Sequence, residues 1–301
     1  MHIVCTLDDN YLIPTSVLLT SICENNKGED ITIHIVAQDL KKESVAALRD
    51  VVEGRYKKSI SFYFPELDFL KEWNLYSSTQ YLSIATFFRL FLSSILPVEL
   101  EKVLYLDCDI VVRKSLSDLW NTSLDGVALA AAEDEGCGKL QKEGYLEKLN
   151  LDNHSIYFNA GVLLVNLKYW RENKLEKRYL EYFEKHNYQL LYNDQDVLNG
   201  VLSQEKKSLP LTYNLSENFY RKKRRSRPEV WAEADSLLSD PHIMHFTGDR
   251  KPWLPTCLHP MQDEYFKYLD QTKWKGLRPN VNLPTKVRHY LKRLKKFRKI
   301  A

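Results

Sequence analysis

Residues 2–36 of the chain read HIVCTLDDNYLIPTSVLLTSICENNKGEDITIHIV, and this stretch decides the fold class. Two short β-rich apolar runs flank a longer apolar segment that begins with Pro14, a residue suited to the first turn of a helix. The same alternation continues over the next thirty or so residues. We predict strands at 2–7, 31–36 and 60–64, an amphipathic helix at 14–23 and a helix at 41–52. Strands alternating with helices in this way are typical of a parallel α/β sheet, in which ligands bind beyond the carboxyl ends of the strands.

The rest of the chain continues this pattern as far as about residue 240. We predict a buried helix at 83–96, strands at 103–106, 110–112, 127–132 and 156–167, and helices at 175–186 and 196–202. From Pro241 onward the composition favours loops rich in Pro, Gly and His. Because no polar linker divides the first 275 residues, we expect one α/β domain at 1–275 and a separate tail at 276–301.

Composition narrows the class of protein. The chain has 301 residues, of which 44% are hydrophobic and 28% charged, an ordinary globular balance that excludes disordered, collagen-like and coiled-coil proteins. No apolar run approaches the ~18 residues that a membrane span needs. The five cysteines are scattered and form no CxxC pair, which argues against a disulfide framework or a thiolate metal site. With no recognisable signal peptide, the sequence predicts a soluble protein of the cytoplasm.

The positive charge of the chain is concentrated in its tail. Residues 286–301 carry eight Lys and Arg and no acid, whereas the rest has 35 Lys and Arg against 40 Asp and Glu, a charge of −5. We therefore expect no nucleic-acid-binding surface. Apolar residues recur at helical spacing within the tail, at Val287, Tyr290, Leu291, Leu294 and Phe297. Such a helix suits an anionic membrane surface on the inner face of the plasma membrane; a helix docked on the body and a frayed tail are the alternatives.

A second basic cluster lies at residues 221–227, RKKRRSR. It lacks the apolar periodicity of the tail, so we interpret it as a solvated loop. Recruitment of an anionic acceptor or a lipid headgroup is its functional alternative.

A pair of aspartates follows a buried strand at residues 102–112, KVLYLDCDIVV. Asp107 and Asp109 are at positions i and i+2, so an extended chain points both carboxylates to the same side. Two hard oxygen ligands suit Mn²⁺ or Mg²⁺ that is held partly by the phosphates of a substrate. A DxD pattern alone is weak support for a metal site; its position at the end of a strand strengthens it.

The same residues fit a second enzyme class. DCDIV matches the DxDx[TV] pattern of haloacid-dehalogenase-like phosphatases, in which the first aspartate, here Asp107, is the nucleophile. Those enzymes need a further acidic pair such as GDxxxD. Here Gly248-Asp249 is followed by RKPW at 250–253, with no second carboxylate. The phosphatase alternative is therefore incomplete.

Several further motifs occur in a fixed order along the chain. They are DDNY at 8–11, Arg89, DCD at 107–109, FNAGV at 158–162, NDQD at 193–196 and HFTGDRKPW at 245–253. Together they resemble the family 8 retaining glycosyltransferases, most closely the bacterial lipopolysaccharide galactosyl- and glucosyltransferases. The resemblance implies the GT-A fold of nucleotide-diphospho-sugar transferases, with a mixed, mostly parallel sheet flanked by helices. It also implies a UDP-galactose or UDP-glucose donor, a glycan or glycolipid acceptor and a Mn²⁺ (or Mg²⁺) cofactor.

The resemblance assigns roles to residues of this chain. It implies that Asp107, Asp109 and His245 bind the metal. Asp8, Asn10 and Tyr11 match positions that hold the uracil, and Gly248 and Lys251 match contacts to the diphosphate. The transferred sugar is expected to contact Arg89, Asp134, Asn159, Asp194 and Gln195. Taken singly, each has a structural alternative: a helix cap at Asp8, an internal ion pair at Arg89, and a satisfied core histidine at His245.

Retention of anomeric configuration needs either a covalent glycosyl-enzyme or attack from the face that UDP leaves. Gln195 is an amide and a poor nucleophile, so we favour front-face attack, with Asp194 and Gln195 as the catalytic residues that stabilise positive charge on the sugar. A non-catalytic nucleotide-sugar-binding protein is a third alternative, disfavoured because all three metal ligands are present. Segments 135–149 and 212–227 are expected to shape the acceptor pocket.

Overall fold

The structure is a computed structural model that describes residues 1–66, 84–186, 190–298 and 300. Its strands are β1 (His2–Leu7), β2 (Thr32–Ala37), β3 (Ser59–Tyr63), β4 (Lys102–Leu106), β5 (Ile110–Val112), β6 (Leu129–Glu133), β7 (Phe158–Asn166), β8 (Lys206–Leu209), β9 (Leu215–Ser216) and β10 (Ile243–His245).

The α-helices are spread along the whole chain. They are α1 (Leu12–Asn25), α2 (Lys42–Arg49), α3 (Leu92–Ile95), α4 (Ser117–Trp120), α5 (Cys137–Lys142), α6 (Tyr145–Lys148), α7 (Leu167–Glu172), α8 (Leu175–Lys185), α9 (Asn193–Leu202), α10 (Trp231–Leu237), α11 (Gln262–Leu269) and α12 (Leu283–Lys296). Short 3₁₀ segments lie at Asp9–Tyr11, Ile84–Phe91, Leu211–Tyr213, Glu217–Tyr220 and Pro228–Val230.

Within the described residues, seven strands form the main sheet in the order β3-β2-β1-β4-β7-β6-β8. Only β7 runs antiparallel to its neighbours, β4 and β6, so the sheet is mixed and mostly parallel. The carboxyl ends of β1, β4 and β6 therefore meet the start of β7 at one edge. A small second sheet, β5-β10-β9, lies beyond the end of β4. The predicted fold class is confirmed.

Alternation along the strands builds a core on each face of the main sheet. On β4, Leu104 and Leu106 belong to one apolar cluster and Val103 and Tyr105 to the other, as the period of two requires. Parallel strands covered by helices on both faces have apolar residues at successive positions, which explains the continuous runs in the sequence.

Helix α1 differs from the amphipathic helix that we predicted at 14–23. Every residue in that range is buried, because α1 packs against β5 on one side and α11 on another. A helix enclosed on all sides has no solvent-facing stripe, so the expectation of an amphipathic helix was wrong.

Other boundaries also differ from the prediction. The predicted helix at 83–96 is a 3₁₀ segment, Ile84–Phe91, followed by the short α3, and residue 83 lies outside the described residues. The segment predicted as helical at 41–52 begins as α2 and continues as a π-helical segment, Asp50–Arg55. The region after Pro241, which we predicted as loops, contains β10 and α11. The short strands β8 and β9, which precede it, were not predicted.

The tail forms the predicted helix, α12, whose first turn is capped by the Asn282 side chain. The last residue of its apolar stripe, Phe297, directly follows α12, is only 3% exposed and packs into the core of the body, whereas Val287 and Leu291 are each 53% exposed. The end of the tail is thus docked on the body, and the rest of its apolar stripe faces outward. None of the described helices combines the length and the hydropathy needed to cross a membrane.

Three of the six cations of the basic cluster at 221–227 form ion pairs, so the loop is exposed, as we expected, but only in part freely solvated. Arg221 contacts Glu217, Arg224 Nη2 lies 2.8 Å from Oδ2 of Asp235, and Arg227 Nη2 lies 2.6 Å from Oε2 of Glu133. These contacts give the arginines a structural role.

Candidate active site

Two aspartates and a histidine come together where β4, β5 and β10 meet. Asp107 directly follows β4, Asp109 precedes β5, and the pairing of β5 with β10 sets His245 opposite Ile110. Nε2 of His245 lies 3.2 Å from Oδ1 of Asp109 and 3.6 Å from Oδ2 of Asp107. One ligand atom of each residue lies within 4.8 Å of the others. Two carboxylates and an imidazole at this spacing fit a divalent cation that completes its coordination with substrate oxygens.

The two oxygens of Asp107 have separate contacts. Oδ1 accepts a hydrogen bond from the Tyr105 hydroxyl at 2.8 Å and lies 3.0 Å from Nη2 of Arg89. Oδ2 faces His245. Because one oxygen is held by two donors, the other is presented to the metal-ligand cluster in a fixed direction.

Asp109 is buried beside two cationic groups. Its Oδ2 contacts the ammonium of Lys251, and its Oδ1 faces His245. Burial alone would raise the pKa of Asp109, but Lys251 and His245 hold that pKa well below its usual range. Burial opposes the charged form of His245, yet Asp109 raises the pKa of this imidazole overall. Asp109 is therefore ionised at neutral pH, which is the form that binds a cation.

Arg89 is buried between the predicted metal ligands and the predicted catalytic residues. Its Nε lies 2.9 Å from Oδ2 of Asp194, its Nη2 lies 3.0 Å from Oδ1 of Asp107, and its Nη1 donates to the carbonyl of Ala160 at 2.7 Å. Burial raises the pKa of Asp194 to about 6, although Arg89 opposes this shift. The internal ion pair considered as an alternative for Arg89 is present, and it joins the two predicted groups.

The remaining residues predicted to hold the sugar lie beside this ion pair. Asp134 follows β6, Asn159 lies near the start of β7, and Gln195 is in the first turn of α9. Oδ2 of Asp134 accepts hydrogen bonds from Nδ2 of Asn159 at 3.0 Å and from Nε2 of Gln195 at 3.3 Å. Gln195 Oε1 in turn accepts from the amide of Ala160 at 2.9 Å. The structure thus brings together all five predicted sugar contacts, Arg89, Asp134, Asn159, Asp194 and Gln195.

The residues predicted to hold the uracil lie at the end of β1, next to β4. Asp8 Oδ1 accepts from the amide of Asn10 at 2.9 Å, so the capping turn considered for this segment is formed. The ring of Tyr11 meets Trp253 edge-on, with 5.9 Å between the ring centroids. Capping does not occupy the Asn10 side chain, which is exposed at this end of the sheet.

The residues predicted to contact the diphosphate follow β10. Lys251 donates to the Phe246 carbonyl at 2.9 Å and reaches Asp109. Gly248 has a φ of +81°, a left-handed conformation that glycine adopts without steric cost. The tight turn that follows His245 therefore brings Lys251 back beside the metal-ligand cluster.

Sequence reasoning missed Asn214, which is buried behind His245. Its Oδ1 lies 2.9 Å from Nδ1 of His245, and its Nδ2 donates to Oδ1 of Asn159 at 2.9 Å. No local motif marks this residue. Gly161 had a signal, since it belongs to the FNAGV motif, but its role was not predicted: a Cβ there would lie 2.2 Å from Cε1 of His245.

Asp196 closes the NDQD motif; it was not among the predicted site residues, and a place at a helix N-terminus was the structural alternative considered for it. Its carboxylate accepts hydrogen bonds from the hydroxyls of Tyr145 and Tyr157, at 2.7 and 2.6 Å, and from the amide of Tyr192 at 2.7 Å. Burial raises the pKa of Asp196 while these donors oppose the shift. The carboxylate anchors the first turn of α9, which carries Asp194 and Gln195.

The chain belongs to glycosyl transferase family 8, whose family model matches residues 2–257. Among solved structures, the galactosyltransferase LgtC in complex with donor and acceptor sugar analogues aligns with a TM-score of 0.80 and 27% identity. That alignment covers 95% of this chain and 99% of LgtC, and it shows the GT-A fold that the motifs implied.

Curated relatives extend over most of the chain. General stress protein A of Bacillus subtilis is 26% identical, with 94% of this chain and 98% of that protein covered. Lipopolysaccharide 1,2-glucosyltransferase of Escherichia coli K12 is 28% identical, with 93% and 80% covered. The predicted enzyme class, a hexosyltransferase, is confirmed by the family and these matches, which give no support to the phosphatase alternative.

Proposed function

We propose that this protein is a metal-dependent retaining glycosyltransferase that moves galactose or glucose from UDP to a glycan or lipooligosaccharide acceptor. One observation carries the proposal: Arg89 links Asp107 of the metal-ligand cluster to Asp194 of the sugar-holding set. A donor that spans both groups places its diphosphate at the metal and its sugar beside Asp194. The names of LgtC and of the lipopolysaccharide glucosyltransferase relative support the choice of hexose and acceptor.

Asp107, Asp109 and His245 would hold the cation, with Mn²⁺ favoured over Mg²⁺ because the set includes an imidazole nitrogen and Mg²⁺ prefers oxygen ligands. A divalent ion there would neutralise negative charge on the departing UDP. Lys251 binds the same diphosphate as a point charge. Asp8 and Asn10 read the uracil edge at the end of β1, and Tyr11 packs against the base.

Asp194 and Gln195 stabilise positive charge on the sugar while the acceptor hydroxyl approaches from the face that UDP leaves. A diphosphate oxygen takes the proton of that hydroxyl. The contacts favour this front-face course over a covalent one, because Asp194 Oδ2 is engaged by Arg89 and Gln195 is an amide. A sugar trapped covalently on Asp194 and identified by mass spectrometry would instead establish the double displacement.

The test of the function is a donor screen with a matched pair of variants. UDP release is measured with UDP-glucose, UDP-galactose and their N-acetyl forms, with Mn²⁺, Mg²⁺ or EDTA. We expect Mn²⁺-dependent release from one of the two hexose donors. Asp109→Asn should reduce it at least 100-fold, whereas Asp240→Asn, the same change at an exposed ion pair with Lys114 outside the predicted site, should not. Native turnover of Asp109→Asn would show that the metal assignment is wrong.

We also propose that the tail, residues 276–301, places the catalytic domain, residues 1–275, at the anionic cytoplasmic face of the plasma membrane. The exposed apolar residues of α12 are Leu283, Val287, Tyr290, Leu291 and Leu294, and residues 286–301 carry eight Lys and Arg. Each cation near such a surface contributes about 1 kcal/mol.

Flotation with vesicles of phosphatidylglycerol and phosphatidylcholine tests this placement. Binding should require the anionic lipid, weaken with salt, and be lost in the double variant Val287→Asp, Leu291→Asp. Val98→Asp is the matched control, because Val98 is also an exposed apolar residue but lies outside the tail. Unchanged flotation of the double variant would refute a role for the tail.

A further inference from the structure

Asn214 occupies a position that connects the two halves of the candidate site. It follows the 3₁₀ turn Leu211–Tyr213 and directly precedes β9, which pairs in parallel with β10. This pairing sets Ser216 opposite His245, so the side chain of Asn214 lies behind the imidazole. Asn214 is 1% exposed, and burial of a primary amide is costly unless its polar atoms find partners.

The direction of each hydrogen bond around Asn214 follows from a backbone amide. The Gly161 amide can only donate, and it donates to Oδ1 of Asn159 at 2.9 Å, which fixes that atom as an oxygen. The Asn214 atom that contacts Asn159 Oδ1 must then be its nitrogen. Its oxygen consequently faces Nδ1 of His245, and that nitrogen must carry the proton.

The tautomer of His245 follows from these hydrogen-bond directions. With the proton on Nδ1, the lone pair of Nε2 points at the carboxylates of Asp107 and Asp109, as a metal ligand requires. On the other side of Asn214, the hydrogen-bond network continues through Asn159 to Oδ2 of Asp134, which also accepts a hydrogen bond from Gln195. One amide thus orients a metal ligand and a residue of the sugar-holding set at the same time.

We propose that Asn214 is a positioning residue of the transfer reaction: its carboxamide fixes the Nδ1–H tautomer and the orientation of His245 and holds Asn159 toward the sugar. This inference rests on the proposed function and deepens it. Asn214 acts through its two neighbours, so its loss should change both metal affinity and the binding of the sugar donor.

Two substitutions separate the bonds. Asn214→Leu keeps the size of the side chain and removes both, so the Kd for Mn²⁺ should rise 10- to 100-fold, the usual cost of losing a partner behind a metal-binding histidine. Asn214→Asp keeps an acceptor for His245 Nδ1 and loses the donor to Asn159. We expect Asn214→Asp to hold Mn²⁺ within a few-fold of the native Kd but to raise the KM for the donor. Asn26→Leu is the matched control, since Asn26 is equally buried and bonds Ile22 and Leu116 elsewhere.

The readouts do not depend on turnover alone. Mn²⁺ affinity is measured by electron paramagnetic resonance in the presence of UDP. The ring ¹⁵N shifts of His245 are recorded in metal-free protein at a pH above the pKa of this imidazole, where the ring is neutral, and they report its tautomer; the signals are assigned by comparison with His245→Gln. Asn214→Leu should lose the defined Nδ1–H tautomer, while Asn214→Asp and Asn26→Leu keep it. Native ring shifts and native Mn²⁺ affinity in Asn214→Leu would overturn the proposal. If the native protein binds no Mn²⁺ even with UDP present, the proposed function fails, and the ring shifts still decide the role of Asn214.

Discussion

Replacing Gly161 by alanine should displace His245. A Cβ at Gly161 would lie 2.2 Å from Cε1 of His245 and 2.8 Å from Oδ2 of Asp107, whereas ordinary contact begins at 3.4 Å. The backbone cannot retreat, because the Gly161 carbonyl accepts from the amide of Asp107 and its amide donates to Asn159. The imidazole must therefore move by about 1.2 Å, several times the ~0.2 Å tolerance of a metal–ligand distance.

The expected effects have two parts. Overpacking of a filled site costs about 1–3 kcal/mol of the free energy of unfolding, so the variant should still fold. Misplacement by about 1 Å of a group that positions the reaction costs on the order of 100-fold in turnover, and the Kd for Mn²⁺ should rise at least 10-fold. The assay is Mn²⁺ titration followed by electron paramagnetic resonance, with UDP release measured on the same samples.

Gly200→Ala is the control for overpacking alone. A Cβ at Gly200 would lie 2.0 Å from Cζ of Tyr182, on the side of α9 that packs against α8. It should therefore destabilise the protein by a similar amount while the native Mn²⁺ affinity is kept. A folded Gly161→Ala variant with native Mn²⁺ affinity would refute the placement of His245 as a ligand.

Three further predictions concern stability, and urea unfolding across a pH series checks each of them. The pKa of Asp194 is raised to about 6, so the folded protein holds this proton more tightly than the unfolded chain does. The free energy of unfolding of the native protein should therefore fall by about 3 kcal/mol as pH rises from about 4 to 6, and that of Asp194→Asn should lack this fall. Burial lowers the pKa of His259 to about 3, so this imidazole is neutral in the folded protein. The free energy of unfolding should fall as pH drops below 6.5, by up to about 1.4 kcal/mol per pH unit, and His259→Asn should reduce this dependence on pH. The Arg171 guanidinium donates to five carbonyls between residues 93 and 100. A lysine cannot reach all of them, so Arg171→Lys should lower the free energy of unfolding by about 2–3 kcal/mol at every pH. A decrease below about 0.5 kcal/mol would contradict this structural role.

Short-range periodicity explains why much of the fold could be predicted. The strands β1 and β4 have apolar residues at successive positions because both faces of the sheet are covered, and a run of that kind is visible in one sequence. The enclosure of α1 was not visible, since it depends on α11, more than 200 residues later. The strands β8 and β9 were missed because they are two to four residues long and have no clear period.

Some features of the candidate site could likewise be predicted from the sequence, and others could not. Asp107 and Asp109 were expected to converge as alternate residues of an extended chain, but they lie in the short turn between β4 and β5. Their nearness in the sequence, and not the period of a strand, made the pair predictable. His245 joins them through the pairing of β10 with β5, a contact across more than 130 residues that only the ordered motifs indicated. Asn214 and the contact of Gly161 with His245 have no local pattern, because both depend on how separate loops approach at the edge of the sheet.

The positive charge of Arg89 balances two carboxylates that belong to different parts of the candidate site. Asp107 and Asp194 are carboxylates that would repel each other in a site shielded from water, and Arg89 lies between them with one nitrogen on each. Since Tyr105 and Arg89 both hold Oδ1 of Asp107, only Oδ2 is left to face His245. The same guanidinium therefore orients the carboxylate that would bind the metal and fixes the one that would face the sugar. A substitution at Arg89 should consequently disturb both groups at once, because Asp194 would be left buried without a cationic partner and Oδ1 of Asp107 would keep only the Tyr105 hydroxyl.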